Sequence, residues 1–201
     1  MPRTGLTAAE IKKKAIDATV AAMREEGFDK VRLTDVAKQL GVSHAALYLH
    51  FKDKTALLDA VSERWLVEID ESLDAICRKQ GKEPTEKMLA WMLTLHRAKR
   101  AKVLHDPELY KSFDLLANAQ KPYVQQHMST LMAQLVGLVR EAIAARRLRG
   151  ADPDKMAEIL WEGMMAFHHP KLVAQHLDEK REPLLRLVLE SMLKGLALKT
   201  D

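Results

Sequence analysis

Between Val31 and Leu58 a group of side chains recurs whose chemistry suits an anionic polymer. Thr34, Tyr48, His50 and Lys54 offer hydroxyl, imidazole and ammonium groups, all able to hydrogen-bond phosphate oxygens. Ser43, His44, Ala45 and Ala46 are consecutive and small apart from the imidazole. Such residues can lie deep in a nucleic-acid groove, the alanine methyls meeting thymine methyl groups. This is recognition chemistry rather than turnover. The chain has no glycine-rich phosphate loop and no nucleophile elbow, and its acids and histidines are scattered. His168 and His169 are adjacent, about 100° apart on a helix, and do not ligate one metal together. Neither an enzyme, a cofactor nor a metal site is expected.

The elements that carry these side chains are helices. Thr7 to Glu26 places Ile11, Ala15, Ala18 and Ala22 on one face and stops at Gly27, after which Phe28 folds back. Leu33, Val36, Ala37 and Leu40 form one apolar face over 34–40. Gly41 can take the left-handed conformation of a sharp turn, Val42 can plug the corner, and Ser43 is a good N-cap. A third helix runs to about His50, with Leu47 and Phe51 facing the first. Two short helices joined by a glycine turn make a helix-turn-helix, whose second helix enters the major groove N-terminal end first. The fourth helix, from Asp53 or Lys54 to about Arg78, is long enough to link this head to the remainder.

Residues 11–58 resemble the DNA-binding domain of the tetracycline-repressor (TetR) family. The resemblance rests on Ala15, Gly27-Phe28, Leu33-Thr34, Val36-Ala37, Gly41-Val42-Ser43, Leu47-Tyr48, His50-Phe51, Lys54 and Leu57-Leu58. It implies that Thr34, Tyr48 and Lys54 bind phosphates and that His44, Ala45, Ala46, Leu49 and His50 face the groove. Many members carry glycine where Ala45 stands, so the depth of entry and the bases read differ here. The resemblance also implies a helical ligand-binding and dimerisation domain after the head. The expected architecture is therefore all-α with about nine helices: a three-helix DNA-binding domain at 1–55 and a ligand-binding and dimerisation domain at 56–201.

The remainder breaks into helices over about 85–103, from Asp106-Pro107, over 122–146, 153–168 and 182–198. The segment 153–168 presents Leu160, Trp161 and Met164, and the last helix presents Leu185, Val188, Leu189, Met192 and Leu196. Both apolar surfaces are wider than one stripe, which suits packing on the own domain and on a second copy. A pocket for a small, mostly apolar effector is expected among the helices from 85 to 145, closed by 153–168. Its candidate lining is Trp91, Met92, Leu95, Phe113, Leu116, Tyr123, His127, Leu131 and Phe167. Tyr123 and His127 stand four apart on one helix and would orient a polar group of the ligand.

Composition agrees with this class. The 201 residues are 47% hydrophobic and 30% charged, a globular rather than a disordered balance. Helix formers dominate and nothing reads as a sustained strand. No run approaches the ~18 apolar residues of a membrane span. No signal-like segment opens the chain, and a lone Cys77 suits a reducing cytoplasm. Nothing near Cys77 lowers a thiol pKa, so a quiet cysteine is expected. The net charge is +4, and residues 1–55 hold ten Lys/Arg against seven Asp/Glu. The expected partners are double-stranded operator DNA, a small-molecule effector and a second copy of the chain, and no membrane. The expected function is a ligand-responsive regulator of transcription, a repressor that leaves a palindromic operator when its effector binds. An adaptor bundle that merely borrows the helix-turn-helix shape would lack salt-sensitive DNA binding.

Overall fold

The computed structural model describes residues 5–111, 120–150 and 152–197, and these are all-α. Contacts divide the chain into two compact units, one holding residues up to 66 together with 105–124, the other 67–104 with 125 onward.

In the first unit, α1 (Ala8–Glu26) starts at a reciprocal cap. Thr7 Oγ1 accepts from the Glu10 N–H at 3.3 Å, and the Thr7 N–H donates to Glu10 Oε2 at 2.7 Å, so two orphan donors are satisfied. Gly27, at φ +91°, ends the helix, and Phe28–Lys30 form a 3₁₀ turn. Next come α2 (Leu33–Leu40) and α3 (His44–Tyr48), then α4 (Lys54–Cys77). The periodic apolar residues converge as their spacing demands. Ala15, Ala18, Leu33, Val36, Ala37, Leu47, Phe51 and Leu57 form one buried cluster, with Val42 and Leu40 packed against it. Ala15, Ala18 and Ala37 are small where α1 and α2 pack together.

Gly41 sits at φ +67°, ψ 23° and closes α2 through its N–H to the Ala37 and Lys38 carbonyls. No atom lies within 4 Å of where a Cβ would stand. A side chain there meets no neighbour and pays only the left-handed backbone cost. Gly41→Ala is therefore expected to lower stability by about 1–2 kcal/mol in urea unfolding. An unchanged midpoint would show that the turn relaxes.

Residues 107–111 are helical and belong to this unit. Asp106 accepts from Arg24 Nε at 2.6 Å, Glu108 from the Phe28 N–H at 2.9 Å, and Leu109 is buried beside Met23, Val31, Leu58 and Val61.

The second unit holds the C-terminal part of α4, most of α5 (Pro84–His105) and most of α6 (Pro122–Ala144). It also holds α7 (Pro153–Gly163), α8 (Met165–His168), α9 (Pro170–Gln175) and α10 (Glu182–Leu196). The single helix expected at 153–168 is broken at Met164 (φ −99°, ψ 5°), so α7 and α8 are separate. His168 turns back to use the freed polar group: its Nε2–H donates to the Trp161 carbonyl at 2.9 Å, and its ring stacks on the Trp161 indole at 3.8 Å. Pro170 then starts α9 rather than merely ending a helix, consistent with proline in a first turn. These extra elements are why the described residues carry more helical pieces than the nine expected. No helix of the described residues is long and apolar enough to cross a membrane.

Candidate functional site

In the first unit Ser43 Oγ accepts from the Ala46 N–H at 3.1 Å and fixes the start of α3. Leu47 is wholly buried and anchors the helix, while Ser43, His44, Ala45, Tyr48 and Leu49 are exposed. Ala46 and His50 are half-buried at the margins of this face. The His44 and Tyr48 rings meet edge to face, centroids 4.5 Å apart, so each limits the other's rotamers. Leu49 is 86% exposed, unusual for a large apolar side chain on an otherwise polar face, and it suits contact with a thymine methyl. Thr34 is exposed in the first turn of α2, where backbone N–H groups have no intrahelical acceptor. Lys54 is half-buried. Its ammonium donates to the Asp29 carbonyl at 2.8 Å and lies 5.3 Å from the Phe28 ring centroid, which ties α4 to the turn after α1. Of the nine side chains singled out from the sequence, seven lie on or next to the short, capped α3, Thr34 stands at the start of α2 and Lys54 at the start of α4.

The second unit holds a polar network that local sequence did not single out. Asp70 on α4, Lys99 on α5 and His127 on α6 meet in the interior. His127 Nδ1 lies 2.6 Å from Asp70 Oδ1 and must donate to it, since a carboxylate only accepts. Its Nε2 is then a lone pair, 3.3 Å from Lys99 Nζ. Burial is the main cause that holds the His127 pKa below its usual range, opposed by the Asp70 bond. Burial likewise pulls Lys99 down to about 8, with Asp70 opposing. Gln134 extends the network, donating to the Asp70 carbonyl at 3.0 Å and accepting from Trp91 Nε1 at 2.9 Å. One signal in the sequence marks Lys99: it continues the apolar spacing Met88, Met92, Leu95 on α5, where a charge is out of place.

Asp70 and Gln134 also line a groove of about 580 Å³ between α4 and α6, together with Asp74, Cys77, Ser129 and Gly137 among others. Among the described residues, none of those proposed from the sequence as ligand lining borders this groove. Trp91, Met92, Leu95, Leu131 and Phe167 are buried in the packed interior, and His127 is committed to Asp70 and Lys99. Tyr123 belongs to the first unit, where its hydroxyl donates to Asp59 at 3.3 Å and burial raises its pKa. Tyr123 and His127 each face a different aspartate of α4. Phe113 and Leu116 lie outside the described residues.

The residues expected to meet a second copy differ in their exposure within the single chain. Leu160, Trp161, Met164, Leu185 and Leu189 are enclosed by their own chain, and Val188, Met192 and Leu196 are half-buried. The apolar side chains that α7 and α10 leave exposed are Ile159, Leu184 and Leu187. On α10 the apolar residues form two faces, and the wider one packs inward.

Cys77 is half-buried and its thiol is pushed up to about 11, first by burial and then by Asp74 and Glu141. Alkylation by iodoacetamide at pH 8 is expected to run roughly 100-fold or more slower than for a free cysteine. A rate near that of free cysteine would contradict this protection.

Two family profiles match the chain. One, described as "Bacterial regulatory proteins, tetR family", matches residues 15–61, and the other, "Tetracyclin repressor-like, C-terminal domain", matches residues 84–189, more than half of the chain. The chain belongs to the TetR family. It is accordingly a DNA-binding transcriptional regulator, with the helix-turn-helix head and helical C-terminal domain of that family. The tetracycline repressor protein class A from transposon 1721 of Escherichia coli is 43% identical over 53 residues, 26% of this chain and 24% of that protein. The HTH-type transcriptional repressor Rv1474c of Mycobacterium tuberculosis is 25% identical over 170 residues, 74% of this chain and 88% of that protein. The structure of SmeT, the repressor of the Stenotrophomonas maltophilia multidrug efflux pump SmeDEF, superposes with a TM-score of 0.66 at 23% identity, over 98% of this chain and 93% of that one. Apart from Rv1474c, the first curated relatives are matched over only about a quarter to a third of their length.

Proposed function

We propose that this TetR-family regulator is a cytoplasmic repressor. As a homodimer it grips a palindromic operator through α3 and releases it when a small, mostly apolar effector binds the C-terminal part. DNA binding is assigned to residues 1–55, and effector binding and dimerisation to 56–201. The observation that carries the DNA half is the exposed row His44, Ala45, Tyr48 and Leu49 on a capped helix anchored by buried Leu47. Thr34, Ser43, Ala46, His50 and Lys54 are assigned to the phosphates and groove margins around that row.

Effector binding is assigned to Trp91, Met92, Leu95, Leu131 and Phe167, which are close-packed here and must open around the ligand, with His127, bonded to Asp70, as the polar point. Other proteins of this fold have been solved with a small molecule bound, as in a SmeT–triclosan complex and a RolR complex with resorcinol. The contact between copies is assigned to the helices that carry Leu160, Trp161, Met164, Leu185, Val188, Leu189, Met192 and Leu196, with Ile159, Leu184 and Leu187 exposed beside them, since a two-fold operator calls for two recognition helices.

The test is selection of bound duplexes from a random-sequence DNA library by the purified chain, repeated at higher salt. A palindrome should emerge, bound with an affinity that falls steeply with salt as phosphate counterions are released. No enrichment at any salt would move the adaptor reading to the front. Tighter operator binding with an effector present would overturn the repressor assignment.

A further inference from the structure

The groove between α4 and α6 lies wholly within the second unit, and the charge on its walls is of one sign. Asp70, Glu71 and Asp74 line it from α4 and Glu141 from α6, while no lysine, arginine or aromatic side chain lines it among the described residues. Two cations reach these carboxylates from outside the groove: Arg78, 80% exposed, pairs with Asp74 at 2.7 Å, and Lys87 pairs with Glu141 at 2.7 Å. The Glu71 carboxylate is exposed and has no ion-pair partner among the described residues. Asp70 accepts from the neutral His127 ring, a bond that leaves its negative charge in place, and Lys99 stands on the far side of that ring.

A second observation comes from the floor. Gly137 stands in the middle of the 23-residue α6, where glycine costs about 1 kcal/mol relative to alanine. Its φ is not in the left-handed region, and no atom lies within 4 Å of where a Cβ would stand, so neither backbone nor packing calls for glycine there. An isolated glycine inside a helix usually answers a packing or functional need. Here, with Ala133 one turn before it, Gly137 keeps the groove open. The resulting space of about 580 Å³ is that of a small-molecule site.

The walls also specify what fits. Asp70 and Asp74 are four residues apart on α4, about 6 Å of rise, a span matched by two ammonium groups on a short alkyl chain. Ser129 and Thr130 add hydroxyl acceptors, and without aromatic rings a quaternary ammonium finds no cation–π face. These walls hold N–H donors. We propose that the groove binds a linear di- or polyamine, its ammonium groups donating to Asp70, Glu71, Asp74 and Glu141 above the open floor at Gly137. The site stands apart from the effector assignment above. Through Asp70 an amine bound there touches the His127–Lys99 network that joins α4, α5 and α6.

Isothermal titration of the full chain with spermidine and with 1,4-diaminobutane, at constant ionic strength and without DNA, tests the site. Both amines should bind saturably. The bis-quaternary analogue of 1,4-diaminobutane, with the same charge and no N–H donor, should bind at least ~10-fold more weakly. Gly137→Leu should weaken spermidine binding at least ~10-fold by filling the floor, while its Tm holds or rises because leucine is the better helix former. The double variant Glu71→Gln, Asp74→Asn should also bind at least ~10-fold more weakly, and Glu158→Gln, at an exposed carboxylate on α7, should bind as wild type does. Should Gly137→Leu fail to fold, the double variant decides. No saturable binding, equal affinity for the bis-quaternary cation, or undiminished affinity in folded Gly137→Leu or in the double variant would overturn the site.

Discussion

Tyr48→Ala is expected to weaken binding to the selected operator roughly 100-fold while leaving the fold intact. The ring is 44% exposed, so its removal should change stability by no more than about 0.5 kcal/mol. Two things are lost at the DNA. The hydroxyl no longer reaches a phosphate, and His44 loses the edge-to-face partner that limits its ring, a contact of about 0.5–1.5 kcal/mol. Together these amount to about 1.4 kcal/mol per recognition helix. The proposed dimer carries the change twice, which gives about 2.8 kcal/mol or two decades in Kd. The salt dependence should not change, because tyrosine carries no charge. Lys54→Gln should behave differently, lowering the slope of log K against log salt by about one for each subunit. Fluorescence anisotropy on the selected duplex at several salt concentrations separates the two. Wild-type affinity in Tyr48→Ala would take α3 out of the interface.

The head was legible because its determinants are local. Gly41 and Ser43 fix the turn and the cap within three residues, and Leu47 and Phe51 follow at helical spacing, so type and order suffice to place each side chain. Lys54 shows where this stops. Its position could be read, but its bond to the Asp29 carbonyl spans 25 residues and has no local mark.

The C-terminal part was legible as helices and not as a site. Periodicity finds an apolar face, yet α10 carries two, with Leu185 and Leu189 inward and Leu184 and Leu187 outward. A one-residue offset separates core from surface, and composition does not decide between them. The break at Met164 depends on His168 taking the Trp161 carbonyl, a contact made only once the chain has turned. The Asp70–His127–Lys99 network joins three helices, with partners 57 and 28 residues apart. The candidate lining drawn from hydrophobicity includes the close-packed Trp91, Met92, Leu95, Leu131 and Phe167, while Asp70 and Gln134, which border the groove, are polar.

Lys99→Met is expected to stabilise the protein at pH 7, by roughly 1–3 kcal/mol, and to stabilise it far less at pH 10.5. An ammonium fully enclosed by α5 and its neighbours loses its hydration, and Asp70, reached across the His127 ring, offsets only part of that loss. The amine is pulled down to about 8, whereas in the unfolded chain it keeps its ordinary value near 10.4. Below about pH 8 both states hold the proton and the native state bears the whole cost. Between about 8 and 10.4 the unfolded chain holds the proton and the native one releases it, so this cost fades as the pH rises. Above 10.4 both are neutral and nothing remains of it. Methionine fills a similar volume without the charge, at the expense of the hydrogen bond to His127 Nε2, worth about 1 kcal/mol. Urea unfolding of both proteins at pH 7 and pH 10.5 gives the comparison, with Lys99→Gln as a polar control that removes the charge and keeps a donor. A variant less stable than wild type by the same amount at both pH values would mean that Lys99 acts as a strut between α5 and α6, its charge immaterial.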